Sequence, residues 1–250
     1  MPKLIKKQKE VFFGVKIVTS SRETRHGRHS FDLACEAIKS VCDQTYPHWR
    51  LYLIGDDYES SSQFKKLASL CPQDKITAYN LKGHKPERTY FPDYPKLAKT
   101  GGHKASCFCL DLMKAMGVRY IANLDDDDLW FHNHLELIAE EYRKTPAPAF
   151  VTTLSNWQYR GIIPFTVVED NGTLHMRPII ENGCKLPGNI SHSAASWDSK
   201  KLPFQYRNRV VETGWEHQFG DYDMWEIMEH HCNEMDYKIT LVPEVTVEYR

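Results

Sequence analysis

Apolar residues recur along the first half of the chain in two alternating patterns. Short runs of β-branched and aromatic residues predict four strands, over residues 11–19, 50–54, 75–81 and 119–124. Apolar positions at helical spacing predict helices between them, over residues 30–43, 64–70 and 105–116. Strands that alternate with helices indicate an α/β fold, an open, mostly parallel sheet flanked by helices. Ligands of such sheets bind outside the carboxyl ends of the strands.

The pattern changes after residue 130. It predicts a helix, a strand, a hairpin, a strand-like segment, another helix and one or two final strands, over residues 132–143, 149–154, 157–178, 189–197, 221–235 and 238–247. Asn171-Gly172 is the predicted hairpin turn. We therefore expect a small mixed second sheet. Ser30 is the predicted N-cap of the first helix, and His132 and His134 are expected on a helix surface.

Composition and charge exclude several classes of protein. The chain is 41% hydrophobic and 26% charged, with 32 basic and 33 acidic residues, which is typical of a soluble globular protein and argues against a general nucleic-acid binder. No apolar run approaches the roughly 18 residues that a transmembrane helix needs. Residues 1–10 are interpreted as a flexible basic tail, and a weak peripheral contact with anionic membrane is the alternative. Seven cysteines, an odd number without a CxxC motif, indicate reduced thiols. We therefore expect a soluble, cytoplasmic protein.

Four consecutive aspartates, Asp125 to Asp128, follow the fourth predicted strand directly. Adjacent carboxylates repel one another unless a cation or hydrogen-bond donors hold them. Oxygen-rich clusters of this kind suit Mg²⁺ or Mn²⁺, which take one or two carboxylates and complete their shell with water and substrate phosphates. The alternatives are a solvated acidic loop and a helix N-terminus, which also favours negative charge.

Five motifs occur in the order found in one enzyme family. They are Thr19-Ser20-Ser21-Arg22, Ser40 to Pro47 (SVCDQTYP), Leu53 to Asp57 (LIGDD), Leu124 to Asp128 (LDDDD) and Gly220 to Trp225 (GDYDMW). Together they resemble the GT-A glycosyltransferases, and more narrowly the inverting family 2 enzymes. The arginine-rich insert after the first strand is also similar to glycosyltransferases encoded by large algal viruses. The motifs span roughly residues 11–225.

The resemblance implies a GT-A fold that takes an activated sugar nucleotide as donor and an acceptor hydroxyl as nucleophile. It implies Mn²⁺ or Mg²⁺ as cofactor, with Asp127 as the direct ligand. Asp125 and Asp126 would hold the ribose, a metal-bound water or the metal itself, and Asp128 would cap the following turn. Asp56 matches the aspartate that binds the base in uridine-binding members, which favours a UDP-sugar. Further nucleotide contacts are expected from Thr19, Ser21, Arg22, Asp57, His103 and Lys104.

The family's catalytic base is matched by Asp221, which would take the proton from the acceptor hydroxyl. Gly220 stands where the family usually has Glu, and Glu216 is the residue that would compensate. Asp223 is the substitute base. The competing interpretation of Asp221 is a helix N-terminal residue stabilised by the helix dipole.

Several basic and imidazole side chains have two interpretations each. Arg22, Arg25 and Arg28 would grip donor phosphates or an anionic acceptor, or form a solvated basic loop. His192 and His217 would contact the acceptor or a metal, or be structural histidines.

We expect a single domain over residues 1–250, with a sugar-nucleotide half at about 11–130 and an acceptor half at about 131–250. The expected partners are the donor and a glycan or glycoprotein acceptor. Three alternatives stay open: a retaining glycosyltransferase, a sugar-phosphate nucleotidyltransferase, and a non-catalytic protein that binds sugar nucleotides or glycans.

Overall fold

The computed structural model describes residues 10–22, 27–58, 60–82, 102–157, 161–163, 165–170, 173–178, 191–203 and 220–250. The strands are Phe13–Thr19 (β1), Trp49–Asp56 (β2), Ile76–Leu81 (β3), Tyr120–Asn123 (β4), Leu129–Trp130 (β5), Phe150–Trp157 (β6), Gly161–Ile163 (β7), Phe165–Asp170 (β8), Thr173–Pro178 (β9), Ala195–Asp198 (β10) and Ile239–Tyr249 (β11). The α-helices are Ser30–Cys42 (α1), Ser61–Ala68 (α2), His103–Ala115 (α3), His134–Arg143 (α4) and Gly220–Glu234 (α5). Two 3₁₀ turns lie at Gln73–Lys75 and His192–Ala194.

One mixed sheet carries most of these strands, in the order β3-β2-β1-β4-β10-β6-β11-β5, with β7 paired to β6. Strands β3, β2, β1 and β4 are parallel, as the sequence predicts for the first half. Strand β10 runs antiparallel to both β4 and β6, so it joins the parallel half to the second half. The α/β prediction is therefore confirmed. Strands β8 and β9 form the predicted hairpin, with Asp170 opposite Thr173, and the turn itself lies outside the described residues.

The core lies in two layers because successive strand residues point to opposite faces of the sheet. On β2, Leu51 and Leu53 join the cluster that α1, α2 and α4 cover. Tyr52 and Ile54 join the cluster beneath α3 and α5, which includes Trp197 and Trp225. Helices cover both faces, which fits strands that are apolar on both sides.

The N-terminus of α1 differs from the prediction. His29, not Ser30, is the N-cap, and its Nδ1 accepts a hydrogen bond from the Phe31 N–H at 3.1 Å. Ser30 is the first helical residue, and its hydroxyl donates to the Ser20 carbonyl at 2.6 Å. The Ser30 Oγ also accepts from the Arg22 N–H at 2.9 Å. The Ser30 side chain therefore binds the loop after β1, and His29 caps the helix.

The prediction for His134 is wrong, because its side chain is fully buried. Its ring stacks on Trp130, with centroids 4.3 Å apart. Its Nδ1 lies 2.6 Å from the Thr246 hydroxyl, which in turn donates to Thr153 at 2.7 Å. Burial lowers the pKa of His134 to about 3. The histidine is therefore a neutral core residue, whereas His132 is exposed as expected.

Strand β5 was not predicted, since two residues carry no readable pattern, and the final segment forms one strand, β11. The cysteines in the described ranges are free thiols, and Cys184 lies outside those ranges. Most of the 82–102 loop also lies outside them. In the part of the chain that the structure describes, no helix has the length and apolar character to cross a membrane.

Candidate functional site

Polar residues from three strands meet at one edge of the sheet. Strand β1 lies between β2 and β4, with Thr19 opposite Gly55 on β2. On the other side, the Leu124 N–H donates to the Lys16 carbonyl at 3.0 Å, which extends the pairing of β1 with β4 toward the aspartates. The carboxyl ends of parallel strands share one edge, so Asp56 and the acidic run flank Thr19 there.

Arg22 and Asp126 form the main ion pair at this edge. The Arg22 guanidinium donates to both carboxylate oxygens of Asp126, each at 2.7 Å. The Asp126 side chain is 6% exposed and that of Arg22 is 25% exposed. Burial opposes the Arg22 charge, but Asp126 outweighs it, so the pKa of Arg22 is raised. The sequence analysis predicted that Arg22 and Asp126 each contact the donor, and the structure shows that they also form an ion pair with each other.

Asp125 is bound by the 3₁₀ turn that precedes β10. Its carboxylate lies 2.7 Å from the His192 Nδ1, and its N–H donates to the Ser193 hydroxyl at 2.9 Å. Burial favours the protonated form, but His192, Lys16 and Arg22 outweigh burial and lower the pKa of Asp125. His192 also packs against Trp225 of α5, with ring centroids 5.7 Å apart.

Asp128 does not have the expected capping role. Its side chain lies in the core, where it accepts hydrogen bonds from the Ser193 hydroxyl at 2.5 Å and the Arg250 N–H at 3.1 Å. Burial and the charges of Asp127 and Asp125 raise the pKa of Asp128 well above its usual value. Strand β5 begins at the next residue, Leu129. Asp128 is thus a structural member of the run.

Asp127 has a side chain that is 38% exposed, similar to the 39% of Asp125 and unlike the buried Asp126 and Asp128. An Arg22 nitrogen lies 3.8 Å away. Burial of the carboxylate, followed by the charges of Asp126 and Asp125, raises the pKa of Asp127 to about 7. Accumulated negative charge at an open edge favours a bound cation. Among the described residues, no group of three or more His, Cys, Asp or Glu is arranged to hold a metal. A site of one or two carboxylates completed by water and phosphate is the type that Mg²⁺ and Mn²⁺ use.

The residues predicted to contact the nucleotide base lie at the ends of β1 and β2. Asp56 is 3% exposed, and Thr19 shares a hydrogen bond of 2.9 Å with the Tyr58 hydroxyl. Burial raises the pKa of Tyr58 to about 12, so the hydroxyl keeps its proton at neutral pH. Asp57 has a left-handed backbone, with φ of 56°. Ser21 is exposed beside this region.

The structure describes only some of the remaining residues that the sequence analysis assigned to the donor, the acceptor or proton transfer. Arg28 pairs with Glu36 on α1 at 2.5 Å, and Arg25 lies outside the described residues. His103 and Lys104 begin α3, where Lys104 is exposed and the His103 side chain lies outside the description. Asp221 and Asp223 lie in the first turn of α5. Their side chains, together with Glu216 and His217, lie outside the described residues.

A relative in sequence decides the family. No family model matches the sequence. The chain is 31% identical over 215 residues to an uncharacterised glycosyltransferase of Acanthamoeba polyphaga mimivirus, covering 85% of this chain and 84% of the relative. The chain belongs to the glycosyltransferases. A shorter match is to an uncharacterised glycosyltransferase of Rickettsia bellii. It is 33% identical over 102 residues and covers 41% of this chain and 12% of that relative.

Solved structures agree on the fold. The glycosyltransferase aligns with S. aureus TarS at a TM-score of 0.57 and 11% identity, over 96% of this chain and 60% of that one. A mannosyltransferase from Pyrobaculum calidifontis, in complex with GDP-Man and Mn²⁺, aligns at a TM-score of 0.55 and 11% identity, over 94% of this chain and 56% of that one. At such low identity these matches show the GT-A fold. The glycosyltransferase spans somewhat over half the length of these solved chains.

The sequence analysis missed three residues of this glycosyltransferase's site. Lys16 is 2% exposed on β1, and its ammonium donates to the Ser106 hydroxyl at 3.5 Å. A lysine inside an otherwise apolar strand was the available signal. Ser193 links Asp125 to Asp128, and Tyr58 contacts Thr19, but neither has a sequence pattern that marks it.

Proposed function

We propose that this glycosyltransferase is a metal-dependent, inverting enzyme that transfers a sugar from a nucleotide diphosphate, UDP favoured, to a hydroxyl of a glycan or glycoprotein. One domain would contain the donor site at about residues 11–130 and the acceptor site at about 131–250. The cytoplasmic location and the acceptor stay predictions.

The observation that carries the proposal is the state of Asp127. Its side chain is partly exposed, and burial of the carboxylate together with the charges of Asp126 and Asp125 raises the pKa of Asp127 to about 7. A divalent cation relieves that repulsion and favours the ionised form. Asp127 would hold Mn²⁺ or Mg²⁺ directly, with Asp125 as the second carboxylate. A bound metal neutralises the charge that develops on a diphosphate leaving group.

The pair of Arg22 and Asp126 supports this division of roles. Both oxygens of Asp126 accept hydrogen bonds from Arg22, so Asp126 is engaged by the guanidinium. We propose that Arg22 orients Asp126 toward the ribose and adds positive charge beside the diphosphate. His192 holds Asp125 in a similar way on the other side of the run.

The base would lie against Asp56 and Thr19, next to the diphosphate end of the site. A buried carboxylate is a hydrogen-bond acceptor, which matches the N–H of uracil. Ser21, Asp57, His103 and Lys104 would complete the nucleotide contacts. TarS, a structural neighbour, is known in complex with UDP-GlcNAc, which supports a UDP-sugar as donor.

Proton transfer is assigned to Asp221. Its carboxylate would take the proton of the acceptor hydroxyl as that oxygen attacks the anomeric carbon opposite the departing diphosphate, which inverts the configuration. The packing of Trp225 on His192 supports this assignment, because it joins the first turns of α5 to Asp125. Asp223 is the substitute base.

A donor screen tests the proposal. Purified protein with Mn²⁺ is incubated with a panel of UDP- and GDP-sugars, and released nucleotide and transferred sugar are measured. We expect hydrolysis or transfer with at least one UDP-sugar. A preference for GDP-sugars would change the donor assignment. No reaction with any donor would contradict the enzymatic proposal and favour a binding protein.

Variants of the first turn of α5 test the mechanism. Asp221→Asn should bind donor as the wild type does and lose turnover by about 10²–10⁴-fold, because it cannot accept the proton. Asp223→Asn is the matched control and should stay close to wild-type turnover. Normal turnover in Asp221→Asn would disprove the assignment of the base, and loss in Asp223→Asn alone would transfer the role to that residue.

A further inference from the structure

The turn after β2 has an unusual backbone. It begins at Asp56, and the next residue, Asp57, has φ of 56°, a left-handed conformation that few non-glycine residues adopt. Tyr58 follows and is fully buried. Because Asp56 lies directly before this bend, the direction of its carboxylate depends on the bend keeping its shape. Such a turn needs support from neighbouring elements.

Asn80 of β3 supplies that support. Its Oδ1 accepts a hydrogen bond from the Tyr58 N–H at 3.0 Å, and its Nδ2 donates to the Tyr58 carbonyl at 3.0 Å. The amide side chain of asparagine carries both a donor and an acceptor, so it pairs with the N–H and the carbonyl of one residue. The Lys82 ammonium donates to the same carbonyl. We call these contacts the Asn80 clasp.

The clasp depends on a close approach between β2 and β3. Asn80 lies opposite Gly55 in the parallel register. A Cβ at Gly55 would come within 2.7 Å of the Asn80 Oδ1 and 2.8 Å of the Phe64 ring. Glycine is therefore required there so that the Asn80 amide can reach the turn.

Tyr58 carries the effect of the clasp to β1. Its hydroxyl shares a hydrogen bond of 2.9 Å with the Thr19 Oγ1, and its ring packs on Phe64 with centroids 5.7 Å apart. One side chain on β3 thus fixes the backbone beside Asp56 and, through Tyr58, the hydroxyl of Thr19. These are the two residues that the proposed function places against the nucleotide base.

We propose that Asn80 is a positioning residue for the nucleotide base: it holds the Asp56–Tyr58 turn in the shape that presents Asp56 and Thr19 to the donor. The inference rests on the proposed function, because it assumes that Asp56 binds the base. Asn80 acts through Tyr58. It sets the affinity for the nucleotide and leaves the transfer step, at the far side of the sugar, unchanged.

The test compares Asn80→Ala and Asn80→Asp with the wild type. Binding of UDP in the presence of Mn²⁺ is measured by calorimetry, and KM and kcat are measured with the donor found in the screen. We expect Asn80→Ala to raise the Kd of UDP and the KM of the donor about tenfold, with kcat unchanged, since about one net hydrogen bond of support is lost. Asn80→Asp keeps the acceptor for the Tyr58 N–H, so its effect should be smaller. Asn156→Ala, an exposed asparagine on β6, is the matched control and should behave as the wild type.

Two outcomes overturn the inference. A fall in kcat or in the melting temperature with unchanged KM and Kd would show that Asn80 is only structural. Wild-type values in Asn80→Ala would show that the clasp is dispensable. Asp56→Ala, measured beside them, separates the inference from the proposed function. If Asp56→Ala binds UDP normally, the proposal that Asp56 contacts the nucleotide base is wrong. If Asp56→Ala loses affinity and both Asn80 variants keep it, only the clasp is refuted.

Discussion

The four consecutive aspartates have four different environments. Asp125 contacts His192, Asp126 contacts Arg22 and Asp128 contacts Ser193, whereas Asp127 lies 3.8 Å from an Arg22 nitrogen. The side chains of Asp125 and Asp127 are partly exposed, and those of Asp126 and Asp128 are buried. Identical side chains at adjacent positions therefore have different contacts, because Asp126 and Asp127 lie in a turn that the Asp128 N–H closes on the Asp125 carbonyl at 3.3 Å. Burial and the charges of Asp126 and Asp125 raise the pKa of Asp127.

His134 gives a prediction for pH dependence. Its pKa is about 3 in the folded protein because of burial, whereas an unfolded histidine titrates near 6.5. Below about pH 6.5 His134 is protonated in the unfolded chain but stays neutral in the folded protein. The free energy of unfolding therefore falls as the pH falls. Between pH 7 and pH 5 this residue alone should remove about 2 kcal/mol.

His134→Asn tests that number. Asparagine keeps a donor for the Thr246 hydroxyl but has no titration in this range. Urea unfolding at pH 5, 6 and 7 should show a dependence on pH that is weaker by about 2 kcal/mol in the variant, whatever its absolute stability. Equal slopes for the wild type and His134→Asn would mean that the buried imidazole is protonated or solvated in the native state.

At the scale of elements, the pair of Arg22 and Asp126 joins the loop after β1 to the residues after β4. Arg22→Met leaves a carboxylate that is 6% exposed without its bidentate partner, and we expect a loss of about 2–4 kcal/mol in the free energy of unfolding. Asp126→Leu added to Arg22→Met should recover part of that loss, because the buried charge is then removed.

A double-mutant cycle by urea unfolding measures the coupling of the two residues. The matched control is Arg28→Met, whose pair with Glu36 has side chains that are 44% and 39% exposed. That exposed pair should contribute less than about 1 kcal/mol. Additive losses for Arg22→Met and Asp126→Leu would contradict the view that the pair connects the two strand ends.

Elements were predictable from the sequence where a local period marks them. Strands β1 to β4 and helices α1 to α3 appear within a few residues of their predicted bounds, since apolar runs and helical spacing are local signals. The exceptions have tertiary causes. Strand β5 is only two residues long and is defined by its pairing with β11, far away in sequence. His29 caps α1 because the Ser30 hydroxyl is engaged by the preceding loop.

The candidate site was predictable only in part, for the same reason. The motif resemblance named Asp127, Asp56 and Arg22 as candidates. It could not supply the partner of Arg22, which lies 104 residues away, or that of Asp125, 67 residues away. Such pairs form only when the sheet brings strand ends together. The buried Lys16 was visible as an exception to an apolar strand, but its neighbours were not.

At the scale of the whole molecule, β10 is the strand that joins two halves of different character. The parallel half contains the strand ends with Thr19, Asp56 and the acidic run. The other half supplies His192 and Ser193 from the turn before β10, and Trp225 from α5. Residues from both halves therefore contact the acidic run, and the division into one domain with two halves stays a prediction.

The dependence of UDP binding on metal tests the central claim most directly. Binding of UDP is titrated by calorimetry with Mn²⁺ and with EDTA, for the wild type, for Asp127→Asn and for Asp74→Asn, an exposed aspartate on the surface turn before β3. We predict that Mn²⁺ strengthens UDP binding at least about tenfold in the wild type and in Asp74→Asn, and that Asp127→Asn binds UDP equally weakly with and without metal. Equal binding by the wild type in Mn²⁺ and in EDTA, or a full response to Mn²⁺ in Asp127→Asn, would contradict the account.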